Sequence, residues 1–207
     1  MEPKSPGRSA GNGRAGREAY DLATVLDIAV AAFNDRGYEA TSMEMLARRL
    51  GTTKSALYYH VAGKEDLLRL ALDRALSELE NVLTRDDAKN GTAEHRLRFV
   101  IRCAVQVLVK DLPYVTLLLR LRGNTEVERQ ALARRREFNN AVAKLVEEAR
   151  DDGTMRADID ARTTTRLLFG MVNSIVEWYR PDGPVTPDRL ADDVISVAFE
   201  GLARAAN

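Results

Sequence analysis

The sequence predicts an all-α protein, and three observations carry that prediction. Apolar residues recur at spacings of three and four along most of the chain, the pattern of helices that bury one stripe. Small hydroxyl residues, glycine and proline stand at the breaks between these stripes, where helices start and stop. Finally, 45% of the 207 residues are hydrophobic and only 13 are Gly and 6 Pro, ample for a helical core.

Taken in order, residues 1–18 are rich in Gly, Ser, Pro and Arg and cannot bury apolar surface, so a disordered basic tail is expected. Arg8, Arg14 or Arg17 could enter a minor groove from such a tail; a purely solvated tail is the simpler expectation. Residues 19–64 form the first folded unit. Ser42 suits an N-cap, with Glu44 soon after it, and Met43, Leu46, Ala47 and Leu50 follow at helical spacing, leaving Arg48 and Arg49 outside. Gly51 ends this helix. A second one starts at Thr52 or Thr53 and offers Thr52, Thr53, Lys54 and Ser55 in its first turn, short groups able to reach base edges and phosphates in a major groove. Ala56 and Leu57 are expected to face the core. Tyr58, Tyr59, His60 and, past Gly63, Lys64 suit phosphate contacts that set register. A Tyr-Tyr pair is usually half-buried packing, but small polar residues at a helix start, two tyrosines one turn later and a following Gly-Lys serve no evident core purpose.

The segment Val25 to Leu68, through A-T-S-M-E-M-L-A-R-R-L-G-T-T-K-S-A-L-Y-Y-H-V-A-G-K-E-D, resembles the N-terminal domain of the TetR family of bacterial one-component repressors. The resemblance covers about a third of the chain and implies a three-helix helix-turn-helix domain that reads double-stranded operator DNA, followed by a larger ligand-binding and dimerisation domain over residues 65–207. Val61 departs from the family pattern, which usually has an aromatic residue there; packing under the second helix is what this bears on.

Beyond the head, Leu68, Leu72, Ala75, Leu79 and Leu83 predict a long helix from about Lys64, followed by a polar break from Asp86 to Gly91. Thr92 to Lys110 repeats the pattern with Leu97, Ile101, Ala104 and Leu108, and Pro113 opens a short helix. A charged helix from about Thr125 carries Phe138, Val142, Leu145 and Ala149 and stops at Gly153, with Arg134, Arg135 and Arg136 on a solvated face. Arg162 to Tyr179 is apolar almost all round, and Gly170 offers close backbone approach. The last helix, capped by Thr186 and opened by Pro187, carries Leu190, Val194, Val197, Ala198, Gly201 and Leu202. The family resemblance implies that these last two helices form a four-helix bundle with a second copy, so Leu168, Ile175, Val194, Val197, Ala198 and Gly201 are the expected homodimer interface.

The middle helices mix apolar stretches with Arg98, Arg102, Gln106, Arg120, Arg122, Arg166, Asn173, Tyr179 and Arg180, a mixture suited to an anionic molecule with an apolar part. The segment W-Y-R-P-D-G-P-V-T, from Trp178 to Thr186, is similar to one in TetR-family regulators whose inducers are acyl-CoA thioesters. An acyl-CoA effector would then lie against Phe169, Val172, Asn173 and Trp178, with phosphates near Arg102, Arg120 or Arg180. A cationic or aromatic inducer of an efflux operon is the other expectation.

Net charge is zero, with residues 1–64 carrying nine Lys/Arg against seven Asp/Glu, so DNA affinity is expected from placed contacts and dimerisation more than from a broad field. An architectural DNA-binding protein would be strongly basic. With two histidines, His60 and His95, one cysteine and no HExxH, GxSxG or P-loop, no catalytic residue, metal ligand or cofactor is expected. No apolar stretch reaches eighteen residues and no signal core is present, so a cytoplasmic protein without membrane contact is expected. Cys103 falls in an apolar helical pattern, where a buried, inert thiol is expected.

Overall fold

The computed structural model describes residues 20–202, so the tail arginines lie outside the described residues. Among those described there are ten helices and no strand: α1 (Leu22–Arg36), α2 (Met43–Arg49), α3 (Lys54–His60), α4 (Lys64–Val82), α5 (Asp86–Lys89), α6 (Ala93–Lys110), α7 (Leu112–Leu119), α8 (Glu126–Asp151), α9 (Ala161–Trp178) and α10 (Pro187–Glu200).

Local chemistry sets most of the starts. Asp21, Ser42, Thr53, Thr92, Thr125, Asp160 and Thr186 each accept the backbone N–H three residues on, satisfying a donor that the helix start leaves orphaned. The expected stops also hold: Gly51 and Gly153 take φ of 64° and 70°, which a side-chain-bearing residue adopts only with strain. The polar break before α6 contains a single helical turn, α5, whose Ala88 is buried.

α4 is the axle of the molecule. Leu67, Leu68, Ala71, Leu72, Ala75 and Leu76 are all buried, and the helix packs against α1 at its start and against α6, α7 and α8 further along. The head therefore shares a continuous core with the body, and Val61, in place of a larger aromatic, is buried in it. A polar tie reinforces the junction. Tyr114 of α7 donates to Asp27 of α1 at 2.5 Å, while Arg74 of α4 donates twice to the buried Asp111, at 2.9 and 2.6 Å, and lies 4.2 Å from the Tyr114 ring centre. Burial first, and the bond to Asp27 second, push the Tyr114 phenol well above its ordinary range. Cys103 is buried and its thiol is likewise raised by burial, which keeps it protonated and unreactive.

Three expectations about the body are corrected. First, α9 buries only one face, through Ala161, Thr165, Leu168, Phe169, Val172 and Ile175, while Leu167 is 65% and Trp178 54% exposed. Leu168, Ile175 and Val194, expected at a subunit interface, pack inside the subunit instead, with Ile175 only 1% exposed. Adjacent apolar residues on a helix point about 100° apart, and the core takes Leu168 and leaves Leu167 out. Second, Gly170 approaches no neighbouring backbone, because a Cβ added there would meet nothing within 4 Å. Third, the arginine run of α8 is not one solvated face. Arg134 donates to Asp73 at 2.6 Å and to Glu80 at 2.7 and 2.8 Å on α4, Arg135 turns inward, and only Arg136 is exposed.

Polar residues of α6 seat α10. Arg102 pairs with Asp192, Gln106 donates to Asp188 at 2.9 Å, and Arg98 stacks 4.2 Å from the Phe199 ring. Residues 98, 102 and 106 lie one turn apart on one side of α6, which explains their polar character within an apolar helix.

Candidate functional site

The head presents α3 outward because only Leu57 of that helix is buried. Lys54, Ser55, Tyr58 and Tyr59 are therefore exposed along two turns, and so is Ala56, which was expected in the core. Tyr59 is 88% exposed and meets His60 edge-on at 5.4 Å, and Lys54 Nζ lies 5.8 Å from the Tyr58 ring centre. Ser42 and Thr53 use a lone pair in their caps, so each hydroxyl hydrogen remains free to donate outward. Thr52 is half-buried in the turn. Arg48 is exposed but held to Glu44 at 2.5 Å, and Arg49 meets Asp35 at 3.2 Å.

Lys64 departs from its expected phosphate contact. Its ammonium donates to the Tyr38 carbonyl at 2.9 Å and sits 4.1 Å from the Tyr38 ring centre, so it fastens the start of α4 to the loop after α1. The spacing after Gly63 could not reveal that a carbonyl 26 residues earlier lies within reach.

A second site lies in the body. A cleft of about 630 Å³ opens between α8 and α9, with Arg135, Arg136, Arg162 and Arg166 around it and Asn139, Asn173 and Gly170 between them. Arg135, Asn139, Phe169 and Asn173 also line an inner apolar void whose walls are Ala75 and Leu79 of α4, Leu108 of α6, Val115 and Leu118 of α7, Phe138 of α8 and Val172 of α9. The two spaces thus meet at a shared neck. Phe138 and Phe169 close one side edge-to-face at 5.5 Å. Burial alone pushes the Arg135 guanidinium below its ordinary value, and no carboxylate pairs with it among the described residues. A cation beside an apolar void without a counter-ion has the chemistry to pair with an anion.

Of the residues expected to hold a ligand, Phe169, Val172 and Asn173 come together here, whereas four others do not. Arg102 is paired with Asp192, Arg120 donates to the Asn34 carbonyl at 3.1 Å beside the head, and Trp178 and Arg180 are exposed at the far end of α9. The arginines that do surround the cleft come from α8 and the start of α9; only Arg166 was among the candidates. Among the described residues, no group of three His, Cys, Asp or Glu could hold a metal, and no helix is long and apolar enough to cross a membrane.

A short helix-turn-helix whose second helix buries a single side chain and leaves most of its surface exposed, joined by a continuous helix to a helical body, is the build of a DNA-binding transcription regulator. The sequence profile of the bacterial regulatory proteins, tetR family, matches residues 25–71, and that of the tetracyclin repressor-like C-terminal domain matches residues 90–202. The chain belongs to the TetR family, a class of non-enzymatic regulators that bind DNA as dimers.

Among solved structures, SCO3833, a TetR family member from Streptomyces coelicolor A3, is 51% identical with a TM-score of 0.83, covering 87% of this chain and 91% of that one. AibR, solved with isovaleryl coenzyme A and operator DNA, is 26% identical with a TM-score of 0.73, covering 86% of this chain and 97% of its own. The HTH-type transcriptional repressor KstR2 of Rhodococcus jostii strain RHA1 is 27% identical over 93% of this chain and 94% of its own.

Proposed function

We propose that this protein is a cytoplasmic repressor that binds a pseudo-palindromic operator as a homodimer and releases it when a CoA thioester fills the body cleft. The observation that carries the effector class is the cleft itself, where four arginines surround a polar space that leads into an apolar one. CoA thioesters join a polyanionic head to an apolar tail, and the cleft offers the matching order of surfaces. The AibR relative, solved with isovaleryl coenzyme A, adds support from outside the chain. A cationic inducer meets the wrong sign of charge at this entrance.

In this proposal Lys54, Ser55, Tyr58 and Tyr59 meet the major groove and its phosphates, with Ser42, Thr52, Thr53, Arg48 and His60 at the margin. The exposed apolar residues Leu167 and Trp178 of α9, Val197 of α10 and Leu202 beyond it form the dimer face, together with Ala198 and Gly201. Two heads then lie about one DNA turn apart, roughly 34–36 Å, and a ligand that favours another spacing lowers operator affinity.

Titration of a promoter-bound dimer with CoA thioesters of increasing chain length, followed by anisotropy, tests the proposal. Release of DNA by at least one thioester near micromolar concentration is expected. Release by a cationic dye and by no thioester would overturn the effector class.

A further inference from the structure

The neck between cleft and void contains a polar group that neither DNA binding nor phosphate recognition uses. Asn139 of α8 and Asn173 of α9 are half-buried and line both spaces, and neither amide makes a side-chain hydrogen bond among the described residues. Two amides without a protein partner, set beside the unpaired Arg135 in one opening, are free to donate to a ligand acceptor at that depth. Beyond them every wall of the void is apolar, and its volume is about 40 Å³. The outer cleft, at about 630 Å³, is many times larger, so the void is the narrow end of the site.

We infer that Asn139 and Asn173 donate to the thioester carbonyl at the neck, and that the narrow void beyond admits only a short acyl chain. The inference rests on the CoA-thioester proposal and adds to it the position of the carbonyl and the length of the chain. Anchoring the carbonyl fixes where the chain begins, and the α4 and α7 walls fix where it must end. Leu79 and Leu119, both half-buried beside the void, set its length, since each can be shortened with less loss than a fully buried core residue. Gly170, in mid-helix with open space where a Cβ would stand, leaves the backbone of α9 bare at the cleft for the head of the ligand to pass.

The test measures binding to the full-length protein by calorimetry for butyryl-CoA, octanoyl-CoA, palmitoyl-CoA, free CoA and S-butyl-CoA, a thioether of the same length that lacks the carbonyl. Butyryl-CoA should bind about tenfold more tightly than S-butyl-CoA, the worth of one or two hydrogen bonds, and also more tightly than octanoyl-CoA or free CoA. Asn139→Leu and Asn173→Leu should each shrink the thioester advantage while leaving S-butyl-CoA affinity in place, which also shows that the variants are folded. Leu79→Ala should move the optimum toward longer chains. Equal binding of thioester and thioether, or palmitoyl-CoA as the tightest ligand, overturns this inference and leaves the CoA proposal standing. Failure of every CoA derivative to bind overturns both.

Discussion

The head and the body carry their candidate sites in opposite ways. In the head, the exposed groups follow one another along α3, from Lys54 to Tyr59, and the helix is held down by a single buried side chain, Leu57. In the body, the cleft and its inner void are collected from α4, α6, α7, α8 and α9, and Ala75 and Asn173 line one space only because five helices pack. A contiguous site of this kind depends on one anchor and a few caps. A distributed site depends on the whole core, so its shape, and any ligand that alters it, is tied to the helix that reaches the head.

The sharpest way to break the comparison is to remove the anchor. Leu57→Ala should cost about 2–5 kcal/mol of packing, because nothing else in α3 is buried. Hydrogen exchange should then show α2 and α3 opening first and operator binding lost, while α6 to α9 stay protected and the cleft still binds its ligand. Loss of protection throughout the chain would mean that the shared core along α4 makes head and body one cooperative unit.

A second substitution pair probes the outer face of the body. Val197 is 40% exposed on α10, whereas Val194, one turn earlier, is buried. Val197→Glu should dissociate the dimer, at a cost of about 3–5 kcal/mol for an unpaired charge at an interface, with the helical content kept. Val194→Glu should instead lower the melting temperature of the subunit. Sedimentation and circular dichroism separate the two outcomes; a dimeric Val197→Glu variant would place the interface elsewhere.

Smaller changes belong to the contiguous site. Lys54→Ala and Tyr58→Phe should each weaken operator binding by about 1–3 kcal/mol and leave stability and effector affinity unchanged, since neither side chain is buried. Lys64→Ala should act differently, by loosening the start of α4 from the Tyr38 carbonyl, so it should lower stability as well as DNA affinity.

The smallest effect expected is on acidification. The carboxyls of Asp160 and Asp21 lie below their ordinary values, the first chiefly through the Thr163 backbone N–H and the second chiefly through its hydrogen bonding to Thr24. A folded value below the unfolded one gives stability that is fully present above about pH 4 and is lost as pH falls through the folded value. Asp160→Asn keeps a capping oxygen without the charge, so its difference in melting temperature from wild type should be constant from about pH 5 to 8 and shrink below about pH 4.

What the sequence discloses follows the same division. Caps and stops are local, so residue type and spacing alone mark Ser42, Thr92, Thr125 and Thr186 as helix starts and Gly51 and Gly153 as ends. The faces of α8 and α9 are not local. Leu167 and Leu168 are the same residue type side by side, and only packing decides which is buried; Arg134, Arg135 and Arg136 read as one charge run yet pair with α4, turn inward at the neck and face solvent respectively. Phe169, Val172 and Asn173 were legible as cleft residues because an apolar helix with an embedded asparagine is conspicuous. Asn139 was not, because a polar residue on a charged helix is ordinary until its neighbours are known.

At the centre of the proposed function, the cleft and the DNA-reading head are linked through one change of state, and linkage is reciprocal. The direct measurement is the affinity of a short CoA thioester such as butyryl-CoA for the free dimer and for the operator-bound dimer, set beside operator affinity with and without saturating thioester. The thioester should bind operator-bound protein more weakly, by the same factor by which it weakens operator binding. Equal thioester affinity for the free and the operator-bound dimer would contradict this linkage.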